Sequence, residues 1–80
     1  MSRAKVIAAI EAAGCECDIH VGSFGWSIVI DAPEGQEFRS SGCAVDSSIW
    51  GHGRPDWRLA LREVERIIAE GFVDATEVAA

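Results

Sequence analysis

The stretch Cys15-Glu16-Cys17-Asp18-Ile19-His20-Val21-Gly22-Ser23-Phe24-Gly25-Trp26-Ser27-Ile28-Val29-Ile30-Asp31 decides the fold. Cys15, Cys17, Ile19 and Val21 alternate with Glu16, Asp18 and His20, the two-residue period of a half-buried strand. Trp26, Ile28 and Ile30 alternate with Ser27, Val29 and Asp31 in the same way. Closing the chain through a loop of residues 22–25 sets Val21 opposite Trp26, Ile19 opposite Ile28 and Cys17 opposite Ile30. The apolar sides of the two strands then coincide, and a one-residue slip would turn one of them inside out.

Downstream, Pro33-Glu34-Gly35 suits a three-residue hairpin loop, with proline pre-set for a turn and glycine free to adopt a positive φ. That loop pairs Ala32 with Gln36, Ile30 with Phe38 and Ile28 with Ser40 in a third strand. The pattern breaks at Ser41-Gly42, and Cys43-Ala44-Val45 resumes it beyond a bulge. Residues 46–54 read as loop. Pro55 fits a first helical position and Asp56 a favourable charge in the first turn. Trp57, Ala60, Leu61, Val64, Ile67 and Ile68 make an apolar stripe that ends at Gly71, with Phe72 folding back on Ile67.

Upstream, Ser2 is a good N-cap, and Val6, Ile7, Ile10 and Ala13 recur at helical spacing until Gly14, which predicts a helix over 3–13. The expected architecture is α+β, in the order α-β-β-β-α: a two-layer sandwich of a three-stranded antiparallel sheet with two helices on one face. One domain over 1–73 is expected, with a frayed tail over 74–80.

An 80-residue chain buries only about 60% of the surface it exposes when unfolded, which leaves no room for an enclosed active site beside a core. The formal charge of −6 repels phosphate, so direct nucleic-acid binding is not expected, and a basic partner suits the chain better than an acidic one. No apolar run approaches the ~20 residues of a membrane span, and the start of the chain lacks a signal peptide's apolar block, so a cytoplasmic protein with no membrane partner is expected. In a reducing cytosol the 3 cysteines stay thiols.

On the expected pairings the outward side of the sheet sets Glu16, Asp31 and Glu37 in one row across three strands, with Asp18, Val29 and Arg39 in the next. Like charges directly opposite destabilise a sheet, so selection for stability alone would mix the signs. Three readings stand: a face that meets a cationic protein surface, a hard-cation site such as calcium, or a well-solvated face that keeps the protein soluble. The segment Trp50-Gly51-His52-Gly53-Arg54 holds a second candidate contact. There tryptophan and arginine are the residue types most often found as binding hot spots, although the glycines also suit a plain lead-in to the second helix. Cys15, Cys17 and Cys43 with a histidine are the alternative, a small zinc module, although the spacing is not that of the common zinc motifs. Ser40, Ser41, Ser47 and Ser48 have no identifiable base beside them, and no phosphate loop occurs, so the expectation is a non-enzyme without cofactors. Phe24 and Leu59 fall outside the core pattern and mark a homodimer contact or plain exposure.

The helix–three strands–helix order resembles double-stranded-RNA-binding domains. Their second helix opens with a phosphate-holding lysine cluster, where this chain reads Arg54-Pro55-Asp56-Trp57. The whole layout, with the acidic strand Cys15-Glu16-Cys17-Asp18, no catalytic pattern and the aromatic loop at Trp50, is similar to the small acidic proteins of phages and prophages, anti-CRISPR inhibitors among them. That resemblance implies an inhibitor acting by binding a larger protein or ribonucleoprotein complex with a basic surface in the host cytoplasm. Glu16, Asp18, Asp31, Glu37, Trp50, His52 and Arg54 are the expected contact residues.

Overall fold

The computed structural model describes residues 2–40, 42 and 44–75. Helix α1 runs Arg3–Ala12, strand β1 Glu16–Val21, β2 Gly25–Asp31, β3 Gln36–Phe38, β4 Asp46–His52, helix α2 Trp57–Glu70 and strand β5 Phe72–Asp74. The fold class is α+β: a three-stranded antiparallel sheet in the order β1-β2-β4, both helices on one of its faces, and a second sheet of two strands, β3-β5.

Helix α1 starts where Ser2, in extended conformation, accepts a hydrogen bond from the Lys5 N–H at 3.4 Å. It stops through two bonds that define a glycine cap: Gly14 N–H to Glu11 O at 2.9 Å and Cys15 N–H to Ile10 O at 3.2 Å, with Gly14 at φ +81°. The cap brings the buried Cys15 onto the buried Ile10, and so fixes the angle at which the chain enters β1. Helix α2 is capped by Asp56, whose Oδ1 accepts from Leu59 N–H at 3.1 Å. The sequence reading placed Pro55 inside the helix, but Asp56 is the cap residue and Pro55 precedes it.

Strands β1 and β2 pair in the expected register: Cys17 with Ile30, Ile19 with Ile28, Val21 with Trp26. The third strand is not the expected one. β4 takes the free side of β2 along its whole length, with Ile30 opposite Ser47, Ile28 opposite Ile49 and Trp26 opposite Gly51. The Pro33-Glu34-Gly35 turn does form, with Gln36 N–H bonded to Pro33 O at 2.9 Å and Gly35 at φ +80°. The strand leaving it crosses to the far side of the β4 chain, where Phe38 bridges Ala44 and β3 pairs with β5. Ser40 falls in the turn after β3 rather than opposite Ile28. A ladder of seven residues on β2 satisfies more backbone than the short hairpin would, which is the physical reason for the exchange.

The core joins Val6 and Ile10 of α1, Cys15, Trp26, Ile28 and Ile30, Phe38, Ile49, and Ala60, Val64 and Ile67 of α2. Phe38 is fully buried, and its ring centroid lies 5.3 Å from that of Phe72, which packs on this cluster as the first residue of β5. Gly71, at φ +86° and ψ −173°, makes the turn from α2 into β5 in a conformation that only glycine adopts readily. Structure therefore continues past Val73: Asp74 belongs to β5 and Ala75 N–H bonds Gly35 O at 3.0 Å. The bulge at Ser41, the thiol of Cys43 and the rest of the expected tail, 76–80, lie outside the described residues. Among the described residues no helix is long and apolar enough to cross a membrane.

Candidate functional site: the outward face of the sheet

Because the inward positions of β1, β2 and β4 are fixed by the core, the outward positions follow from the pleat. Four rows result. Glu16, Asp31 and Asp46 form the first, Asp18, Val29 and Ser48 the second, His20, Ser27 and Trp50 the third, and Gly25 beside His52 the last. Neither helix covers this side. Glu16, Asp18, His20, Asp31, Asp46, Ser48, Trp50 and His52 are all exposed, and Ser27 and Val29, on the central strand, are half-buried by their neighbours.

The structure therefore brings together Glu16, Asp18, Asp31, Trp50 and His52 from the expected set. It separates Glu37, which pairs with Val73 in the small sheet and not with Asp31. Arg39 likewise leaves the second row; its N–H bonds Gly71 O at 3.2 Å, and Ser48 stands opposite Val29. Asp46 takes the place that Glu37 was expected to fill. Arg54 lies in the bend that follows β4 and is exposed. His20 and Ser27 fall at the expected outward positions of β1 and β2 but were not named as contacts, and Asp46 and Ser48 are the members of this face that the sequence reading left in a loop. Extending the alternation onto a strand over 46–52 would have found both.

The Asp31–Asp46 half of the carboxylate row is the closely spaced one. Ala32 N–H donates to Val45 O at 2.9 Å and Gly53 N–H to Phe24 O at 3.1 Å, so the odd-numbered residues of β4 carry the bonds to β2. Asp31 and Asp46 consequently meet at a non-hydrogen-bonded position, where opposite side chains sit closest, with Cβ atoms about 4.5–5.5 Å apart. Among the described residues none of Glu16, Asp18, Asp31 or Asp46 forms an ion pair; the pairs present are Arg66 with Glu63 at 2.9 Å and with Glu70 at 3.3 Å, on α2. At the other end of the face Trp50 is 67% exposed and meets the His52 ring edge-on, centroids 5.5 Å apart, while Phe24 in the β1–β2 loop is 90% exposed. The face thus grades from carboxylates to aromatic rings.

The thiols of Cys15 and Cys17 lie on the opposite side of the sheet. Cys15 is buried and Cys17 half-buried, both beside a cleft between α1 and β1 that Arg3, Ile7 and Glu11 border. Burial, followed by the negative charge of Asp31, raises the Cys15 thiol above its ordinary 9.0. Burial also raises Cys17, with Glu11, Asp18 and Asp31 adding to it and Arg3 opposing. A metal ligand or nucleophile must be a thiolate, and these surroundings hold both groups in the thiol form at neutral pH. Among the described residues no three His, Cys, Asp or Glu side chains converge on a metal-sized space; Cys43, named above as a third sulfur ligand, is outside them. No protein-family model, no curated protein and no solved structure matches the chain.

Proposed function

We propose that the protein is a small acidic binding protein that docks the outward face of its three-stranded sheet on a basic surface of a larger, nucleic-acid-handling partner and so inhibits it, in the manner of the anti-CRISPR proteins it resembles. The observation that supports this is the row Glu16–Asp31–Asp46, flanked by Asp18 and without an ion pair among the described residues, on a face that no other described element covers and that ends in exposed Trp50. Like charges in adjacent strands cost a sheet a few tenths of a kcal/mol per pair. A cationic partner would convert that cost into attraction and would speed association at low salt. Trp50, with His52 against its edge and Arg54 just beyond, supplies the apolar anchor that such a docked face needs.

The test replaces Glu16→Gln, Asp18→Asn, Asp31→Asn and Asp46→Asn together. The variant is expected to fold and to melt slightly higher than the parent, because repulsion across the sheet is gone. The parent, used as bait, is expected to capture a nucleic-acid-binding protein and to block that protein's binding to its nucleic acid in a purified assay at low salt. The amide variant loses both. Equal capture and equal block by the variant at low salt would refute the reading.

A further inference from the structure

In the order β1-β2-β4 the strand β4 is an edge. Its odd-numbered residues bond β2, so the N–H and C=O groups of Asp46, Ser48, Trp50 and His52 point away from the sheet. Beyond the bridge between Phe38 and Ala44, no described residue pairs with β4 on that side. Native edges are usually protected by charge, proline or a bulge. The opposite edge, β1, carries Glu16 and Asp18. β4 keeps an unbroken seven-residue register, and its central stretch Ser47-Ser48-Ile49-Trp50-Gly51 has no charge at all.

Beside this edge runs a groove of about 290 Å³ between β4 and α2, lined by Ser47, Ser48, Ile49 and Trp50 of the strand and by Leu59, Glu63, Arg66 and Ile67 of the helix. Leu59 is 39% exposed there, out of the core that takes Ala60, Val64 and Ile67. A strand edge that no described strand occupies, beside a groove of mixed lining in which Ile49, Leu59 and Ile67 are the apolar members and Ser47 and Ser48 polar ones, is the geometry of strand addition, in which the backbone pairs and alternate side chains of the added strand enter the groove.

We propose that the added strand is β4 of a second copy of this chain, in an antiparallel pair centred on Ile49 that joins two three-stranded sheets into one of six strands. β4 is complementary to its own reverse. Centred on Ile49, the strand sets Asp46 opposite His52 of the second copy, an acceptor carboxylate beside an imidazole N–H, at both ends of the pair. It sets Ser48 opposite Trp50 and Ser47 opposite Gly51, small against large or small against small. Ser48 and Trp50 are the residues whose backbone groups face outward, so the same centring satisfies them reciprocally. Ile49 meets its counterpart at the axis, and the Leu59 side chains close over it from the two α2 helices. The arrangement is isologous, as a closed dimer requires; it shares Asp46, Trp50 and His52 with the acidic face but is separable from that reading, because Glu16 and Asp18 lie on the far strand.

Sedimentation equilibrium of the full chain, with amide exchange by NMR, tests it. The parent is expected at twice the chain mass, with slow exchange at Ser48 and Trp50. Ser48→Pro, which removes an outward N–H that β2 does not use, and Leu59→Glu, in the groove, are expected at single-chain mass with unchanged circular dichroism. His52→Asp is expected to lose the dimer by placing two carboxylates together, and His52→Asp with Asp46→Lys to regain it. A parent that stays at single-chain mass up to about 1 mM, or fast exchange at Ser48 and Trp50 in a dimer, overturns the proposal. So does a dimer unaffected by all three single substitutions. Glu16→Gln with Asp18→Asn leaves the dimer intact, whatever it does to partner capture.

Discussion

Gly51 shows how one missing side chain shapes the sheet. It faces inward opposite Trp26, and a Cβ built on it would lie 2.7 Å from the indole Nε1 and 2.8 Å from Cε2. The ring of Trp26, 5% exposed, occupies the space that any other residue would need. Gly51→Ala is therefore expected to push the indole off the strand and destabilise the protein by about 1–3 kcal/mol, read as a lower denaturant midpoint with a red-shifted tryptophan emission. The same residue explains why β4 was not legible in the sequence. A glycine within a strand pattern marks close backbone approach as well as a turn, and with Gly53 two positions on, at φ +72°, the turn reading wins unless Trp26 is known to lie above it.

At the scale of elements, the β1–β2 hairpin and α2 were legible because their periods are strong, and α1 because Ser2 and Gly14 mark its ends around the buried Val6 and Ile10. β4 was not, since its inward positions are Ser47, Ile49 and Gly51 and only one of them is bulky. Its outward neighbour Trp50 reverses the usual pattern. Pro33-Glu34-Gly35 does form a turn but not the expected hairpin loop, since Ala32 bonds Val45 rather than facing Gln36; a turn fixes only its own four residues and does not choose which edge the next strand will join. That error moved one carboxylate: Glu37 left the outward row and Asp46 entered it, so the row itself survived with a different third member. The helix caps allow a sharper expectation. Asp56→Ala removes the oxygen that Leu59 N–H bonds and should cost about 1 kcal/mol. In a domain of this size that lowers the melting temperature by roughly 4–8 °C, measurable by circular dichroism, while Asp56→Asn should lower it far less.

For the whole molecule, the charge of −6 with 0 tyrosines makes the alkaline limb of stability easy to assign. The folded state holds Cys15 and Cys17 protonated above their ordinary 9.0, whereas the unfolded chain releases those protons near that value. The folded state therefore binds more protons as pH rises past 9, so the stabilisation is complete below about pH 9 and is lost as pH climbs toward the raised values. Melting temperature should fall over that window under reducing conditions, and Cys15→Ala with Cys17→Ala should flatten the slope even though it lowers stability at pH 7. A slope unchanged by the double substitution would show that the two thiols ionise alike in both states.

The pairing of β3 with β5 joins Phe38, near the middle of the chain, to Phe72, the first residue after the last helix. During synthesis Phe38 must emerge and wait, bare, until more than thirty later residues have been added. The β1–β2 hairpin can close as soon as Asp31 is out, whereas the side of Phe38 that faces Phe72 gains its cover only after α2 has been made. Shortening the chain at Glu70 would leave that side of the ring bare.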